Sequence, residues 1–115
     1  MNLEMLRNFC LNLSGTEESL PFDENTLVFK VAGKMYCATS IKNAVSCNVK
    51  CNPEEAIELR ERFEAVKPGF HMNKKHWNTI MFNMDMPDKE ILQQIQNSYN
   101  LVILSLPKKL QNLII

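Results

Sequence analysis

The segment GFHMNKKHWNTI, residues 69–80, contains most of the side chains with which this chain could do chemistry. Both histidines, the only tryptophan (Trp77) and two adjacent lysines (Lys74 and Lys75) lie in it, and it has no acidic residue. Histidine beside lysine could serve acid–base catalysis, and lysine beside an aromatic ring could bind nucleic acid. The same residues could also do no more than hold a turn, so the rest of the sequence has to decide.

A catalytic role for this segment lacks partners in the sequence. Either histidine (His71 or His76) could act as a general base with a neighbouring lysine as the electrophile. However, no nucleophile motif, Gly-rich phosphate loop or evident carboxylate partner accompanies them. For His71, which follows Pro68-Gly69 closely, hydrogen bonding within the loop is the favoured role. We therefore expect no enzyme activity and no cofactor, and rank a His/Lys-based activity of residues 69–78 as a minor alternative.

Two residue pairs, Cys47-x3-Cys51 and His71-x4-His76, resemble a zinc finger only superficially. Nineteen residues separate the pairs, against about twelve in the usual finger. If residues 47–51 are extended, their ends lie roughly 13 Å apart at about 3.3 Å per residue. Two thiolates on one zinc, at about 2.3 Å each, lie within about 4.6 Å of each other. We therefore expect no metal, with Cys47 in the core and Cys51 near a helix start.

The charges of the chain balance overall but are segregated along it. There are 13 basic and 13 acidic residues, which argues against a generic polyanion-binding protein. Residues 25–53 and 65–84 nevertheless contain lysines and no acid, and the acids lie in the segments around them. Such segregation creates a local positive field in a neutral chain.

The length and hydropathy pattern predict one domain, residues 1–115, without a targeting or membrane segment. A chain of 115 residues suits a single domain. Met1–Leu13 has no unbroken apolar run like that of a signal peptide, and no stretch approaches the roughly 20 apolar residues of a membrane span. The four cysteines are then expected to be reduced, in a cytoplasmic protein.

Periodicity, capping residues and turn residues predict the order of the helices and strands. The predicted helical segments are residues 3–13, 52–63, one that opens at 84–88, and about 98–106. The predicted strands are a short edge strand at 18–22, then 26–31, 34–40, 45–50 and 77–82, with a loop at 65–69. The order α-β-β-β-α-β-α, with room for a short extra strand beside the fourth, predicts an α+β two-layer sandwich. Its antiparallel sheet carries the helices mainly on one face.

Strand alternation predicts which side chains face the helices. The expected core face holds Leu27, Phe29, Val31, Met35, Cys37, Val45, Cys47 and Val49. The expected opposite face is polar, basic and aromatic, and holds Val28, Lys30, Lys34, Tyr36, Ser46, Asn48 and Lys50. With Ile80 and Phe82 inward, the last strand adds Trp77 and Thr79 to that opposite face.

Five segments together carry a resemblance to a known family. They are TLVFKVAGKMY (26–36), VSCNVKCNPEEAIELRERF (45–63), VKPGFHMNKKHWNTI (66–80), MPDKEILQQIQNSYNLV (86–102) and LPKK (106–109). In these segments the chain resembles the MmcQ/YjbR-like family of small bacterial proteins. The resemblance implies a YjbR-like domain similar in architecture to type III secretion chaperones, and a DNA-binding protein whose hairpins act as paired wings.

These observations lead us to expect a non-enzymatic DNA-binding protein that uses the basic, aromatic face of the sheet and its hairpin wings. Binding should be weak, salt-sensitive and directed to the DNA backbone. The expected contacts are Lys30, Lys34, Tyr36, Lys50, Lys74, Lys75 and Trp77, and the expected structural residues of the motif are Gly69, His71, Asn73, His76 and Asn78. The alternative is a protein-interaction or chaperone-like module. In either case we expect a monomer or weak homodimer that binds no membrane.

Overall fold

Six strands form one antiparallel sheet in the computed structural model, which describes all 115 residues. Along the sheet the strands lie in the order β1-β2-β3-β4-β6-β5. Their bounds are β1 Thr16–Ser19, β2 Thr26–Val31, β3 Lys34–Ser40, β4 Ser46–Lys50, β5 Val66–Pro68 and β6 Trp77–Met81. The predicted α+β fold with an antiparallel sheet is confirmed.

Four helices accompany the sheet, and α1 to α3 supply buried side chains to one core on one of its faces. The helices are α1 Leu3–Leu11, α2 Pro53–Arg62, α3 Asp88–Leu104 and α4 Lys108–Ile114. The two predicted C-terminal segments are one continuous helix of 17 residues, α3. Its polar middle does not break it, because Gln93 donates to Asn97 (2.9 Å) and Gln96 donates to Asn100 (3.0 Å) along the helix surface.

The two edge strands differ from the prediction. β1 ends at Ser19, before Pro21, whereas we expected a strand over residues 18–22. Residues 66–68, expected in a loop, form β5 on the outer side of β6. Proline is tolerated at an edge because one side of the strand needs no ladder hydrogen bonds, so Pro68 is compatible with this position.

A β-bulge in β3 places several side chains on the face of the sheet opposite to the one predicted. Phe29 pairs with Cys37 and Lys30 pairs with Met35, which leaves Tyr36 as an extra residue. An extra residue shifts the alternation of side chains by one. The side chains between the bulge and the β2–β3 turn therefore lie on the face opposite to the one predicted. Met35 therefore lies on the face away from the helices, and the predicted core position for it is wrong.

Tyr36 belongs to the core instead of the outer face, and the prediction that it contacts DNA is wrong. Its side chain is fully buried. The hydroxyl lies 2.8 Å from Thr16 Oγ1 and donates to the Cys10 carbonyl at 3.3 Å. The ring meets Tyr99 edge-to-face, with centroids 5.3 Å apart. Burial raises the pKa of Tyr36 far above its ordinary value, so the phenol stays neutral.

Two further residues lie elsewhere than predicted. Lys34 reaches the helix side, where its Nζ donates to Ser105 Oγ at the end of α3 at 3.4 Å. Val45, expected in the core, precedes β4 and is 54% exposed. Its carbonyl accepts from the Phe82 N–H at 2.7 Å, but its own N–H donates to the Asn43 carbonyl at 2.7 Å, so the chain turns here before the regular alternation of β4 begins.

The hydroxyl of Ser98 in α3 completes the sheet beside the bulge. The ladder between β3 and β4 ends at the Cys37–Val49 pair, so the next rung would join Tyr36 to Lys50. Ser98 Oγ takes that place, accepting from the Lys50 N–H at 2.8 Å and donating to the Tyr36 carbonyl at 2.5 Å. Ser98 is fully buried, so water cannot substitute for it.

We predict that Ser98→Ala lowers the free energy of unfolding by about 1–3 kcal/mol, because it leaves a buried N–H and a buried carbonyl unpaired. The matched control is Ser105→Ala at the exposed end of the same helix, which should change it by less than about 0.5 kcal/mol. Urea denaturation measures both. Equal losses for the two variants would contradict the bridging role of Ser98.

Candidate functional site

The face of the sheet opposite the helices is the candidate site, and we call it the open face. Strand register assigns its members, because residues paired across strands share a face. They are Glu17, Ser19, Thr26, Val28, Lys30, Met35, Ala38, Ser40, Ser46, Asn48, Lys50, Lys67, Trp77, Thr79 and Met81. No helix contributes to the core from this side; two loops, residues 20–25 and 69–76, border it.

A groove of about 450 Å³ runs over β2, β3 and β4 on the open face. Its floor is formed by side chains of these strands, including Ala38, Ser46 and Asn48. Phe22 stands on one wall, and Phe70 stands on the other. A volume of this size falls within the range of about 300–1,000 Å³ that small-molecule sites occupy.

The two phenylalanines at the groove are unusually exposed for large aromatic side chains. Phe22 is 72% exposed and Phe70 is 51% exposed. Single exposed apolar residues are common, but two rings at opposite walls of one groove form a surface suited to a flat ligand.

Asp23 fixes the first wall by capping the turn that leads into β2. Its carboxylate accepts hydrogen bonds from the backbone N–H of Asn25 at 2.8 Å and of Thr26 at 2.7 Å, and from the Thr26 hydroxyl at 3.2 Å. These bonds hold the pKa of Asp23 below its ordinary value, so this wall carries a negative charge. The Asn25 side chain also donates to Ser40 Oγ at 2.8 Å, which ties the turn to β3.

The second wall is a turn whose backbone admits little variation. A Cβ at Gly69 would lie 2.8 Å from Trp77 Cβ and 3.0 Å from the Trp77 carbonyl oxygen, so only glycine fits. The Met72 N–H donates to the Gly69 carbonyl at 3.4 Å. His71, the third residue of this turn, has φ 58°, a conformation in which glycine or asparagine is favoured. It forms no hydrogen bond within the loop, so the hydrogen-bonding role predicted for it is wrong.

Arg60 of α2 anchors the return of this loop into β6. Its Nε donates to Asn78 Oδ1 at 2.7 Å, and its Nη2 donates to the backbone carbonyls of Lys74 and Trp77. Asn78 is buried and donates in turn to the Ala56 carbonyl at 3.3 Å. Sequence reasoning missed this role of Arg60. The signal that could have found it is Asn78, a polar residue at a core-facing strand position that needs a partner.

The remaining motif residues act within the loop. Asn73 Oδ1 accepts from the Lys75 N–H at 2.9 Å, and the Asn73 carbonyl accepts from the His76 N–H at 3.3 Å. The His76 carbonyl accepts from the Cys51 N–H at 2.7 Å, which joins the loop to the start of α2. These contacts use His76 through its backbone.

The predicted DNA-contacting residues divide into two groups. Lys34 and Tyr36 lie on the helix side, as described above. Lys30, Lys50 and Trp77 lie on the open face, where Lys30 pairs across the strands with Glu17 and Lys50 pairs with the half-buried Trp77. The two loop lysines are exposed, and Lys74 Nζ donates back to the Gly69 carbonyl at 2.9 Å.

Three open-face or groove residues escaped the sequence analysis. Lys67 pairs with Thr79 and so lies on the open face diagonally next to Trp77. The sequence predicts a loop there, because Pro68-Gly69 follows directly and a strand of three residues is too short to show alternation. Phe22 and Phe70 lie in loops, where no periodicity exists to predict their direction.

The structure gathers no metal-binding cluster, since no group of three or more His, Cys, Asp or Glu side chains is arranged to hold an ion. All four cysteines are free and buried. None of the helices has the length and apolar character needed to cross a membrane.

Comparisons with known proteins agree with this fold. A family model described as YjbR matches residues 11–101. The uncharacterised protein YbdF of Escherichia coli O157:H7 is 30% identical, over 92% of this chain and 88% of YbdF. The uncharacterised protein YjbR of Escherichia coli K12 is 28% identical, over 100% of this chain and 98% of YjbR.

A solved structure has the same fold. The crystal structure of the Deinococcus radiodurans protein DR2400 superposes with a TM-score of 0.93 at 32% sequence identity, covering 98% of this chain and 87% of that one. The resemblance seen in the sequence is confirmed: this chain belongs to the YjbR family.

Proposed function

We propose that the protein binds single-stranded DNA on the open face of its sheet, without catalysing a reaction on it. The observation that carries the proposal is a set of lysines without salt bridges beside aromatic rings, on a face that no helix covers. No lysine of the chain forms a salt bridge, since the two ion pairs present involve the N-terminus and Arg7. Free cations neutralise phosphates, and exposed rings stack on bases.

The cations that would contact phosphate differ from those expected from the sequence. Lys30, Lys50 and Lys67 lie on the strands of the open face, and Lys74 and Lys75 lie in the loop beside it. Lys34 is left out because its Nζ is directed to the end of α3. Lys67 takes its place, in a cluster with Lys50 and Trp77.

The shape of the protein favours a single strand over a duplex. Reading the major groove requires a helix or a β-ribbon that enters it with suitable charge. The most exposed flank of α2 carries Glu54, Glu58 and Glu61, which would repel phosphate. A sheet face with aromatic rings is the arrangement that proteins use for unstacked bases.

Interaction with a protein partner is the second candidate, and the exposed Phe22 and Phe70 rings are the observation that favours it. Exposed apolar side chains also serve protein interfaces. In that case the same groove would hold an apolar side chain of a partner or of a second copy of this chain in a weak homodimer. Binding would then depend little on salt, in contrast to DNA binding.

We predict that a labelled single-stranded oligonucleotide binds weakly at low salt, and more tightly than a duplex of the same sequence. The logarithm of the association constant should fall with the logarithm of salt concentration with a slope no steeper than about −3.5. This limit corresponds to five lysines at about −0.7 each. Fluorescence anisotropy measures both quantities. Absence of binding at low salt would contradict the proposal, and a salt-independent self-association seen by light scattering would favour the second candidate.

We predict that the double variant Lys67→Ala/Lys75→Ala weakens DNA binding and makes the salt slope shallower by about 1.4. The matched control is Lys89→Ala/Lys108→Ala, which removes the same charge from exposed positions on the helix side. It should leave the slope unchanged. Both pairs are exposed, so melting temperatures should not move. Equal effects of the two pairs on binding would show diffuse attraction without a defined face.

A further inference from the structure

We infer that the groove between Phe22 and Phe70 receives an unstacked base of the bound strand, so that the protein recognises bases as well as phosphates. This inference rests on the proposed binding of single-stranded DNA. It assigns a separate task to the groove, while the lysines around it hold the backbone.

The charge of the groove selects the base over the phosphate. No lysine or arginine lines it, and Asp23 on one wall is ionised because three hydrogen bonds stabilise its carboxylate. A phosphate in this position would meet a negative charge with no cation opposite. A base is uncharged, and the nearby Lys50 and Lys67 of the open face can neutralise the phosphates that flank it.

The position of the groove in the sheet argues against an added peptide strand. A peptide that binds by strand addition needs the free N–H and C=O groups of a sheet edge. The groove lies over β2, β3 and β4, each of which has a paired neighbour on both sides. A ligand on this floor can therefore bond only to side chains.

The side chains on the floor offer isolated hydrogen-bonding groups of both kinds. The Ser46 carbonyl accepts from Thr39 Oγ1 at 2.8 Å, whereas the Ser46 hydroxyl forms no hydrogen bond with the protein. Asn48 Oδ1 accepts from Thr79 Oγ1, and its Nδ2 has only a 3.4 Å contact with the Phe70 carbonyl. A free hydroxyl and an amide N–H match the ring nitrogens and carbonyl oxygens on the edge of a base.

The His71 side chain completes the second wall, although its backbone conformation is unfavourable for a residue other than glycine. A side chain at φ 58° is less favourable than glycine, and the imidazole lines the groove without a hydrogen-bond partner in the protein. The turn geometry alone would be better served by glycine, and this favours a role for the imidazole in the groove that it lines. A ring there can stack on a base or donate to its edge.

The test compares a short thymidine oligomer with an abasic oligomer of the same length, which carries the same phosphates. The wild-type protein should prefer the thymidine oligomer by about tenfold, the value expected for stacking of one base. Phe22→Ala and Phe70→Ala, made separately in the two loops, should each remove most of this preference and leave the abasic affinity and its salt slope unchanged. Leu113→Ala, which truncates a side chain that is 76% exposed on α4, should change neither.

His71→Gly gives a second readout that a purely structural role would not produce. Because glycine accepts the positive φ, the melting temperature should stay the same or rise, while the preference for thymidine over abasic oligomer should fall several-fold. Equal binding of the two oligomers by the wild-type protein, or a preference that survives all three groove variants, would overturn the base pocket and leave the proposed function standing. Failure of both oligomers to bind at low salt would remove the proposed function itself.

Discussion

The extra residue in β3 is the constraint on which the arrangement of both faces depends. The bulge sends Tyr36 into the core, where its hydroxyl meets Thr16 and the Cys10 carbonyl, and it sends Met35 to the open face. It also ends the β3–β4 ladder early, and the Ser98 hydroxyl of α3 fills the missing rung. The bulge thereby determines where α3 packs on the sheet, and it places Met35 in the groove.

The two walls of the groove depend on polar contacts, one set within the first wall and one from α2 to the second. The Asp23 carboxylate shapes the first wall, and Arg60 of α2 holds the second by bonding to Asn78 and to loop carbonyls. Gly69 allows this loop to pack directly on Trp77. The helix layer thus supports the second loop, and Asp23 and Asn25 support the first, so the groove is largely pre-formed and a ligand need not order it.

The sequence predicted the architecture because its strongest signals are local. Alternation located β2, β3, β4 and β6, and Asn52-Pro53 located the start of α2. The facing of Tyr36 could not be predicted, because a bulge depends on how two strands pair and leaves no mark in the alternation of one strand. Phe22 and Phe70 escaped for a related reason, since loop side chains follow tertiary contacts and not periodicity. The segment 69–80 was recognised as unusual, but the way its backbone packs on Trp77 and is held by Arg60 could not be predicted from its residue types.

The open face is the proposed binding surface for single-stranded DNA. The most direct test is an NMR titration of the isotopically labelled protein with a short thymidine oligomer at low salt, following the backbone amide signals. If the open face is the binding surface, the signals that shift belong to β2 to β6 and to the loops at residues 20–25 and 69–76, with the exposed side of α3 unaffected. Shifts confined to the helices, or no shifts at all at low salt, would contradict it.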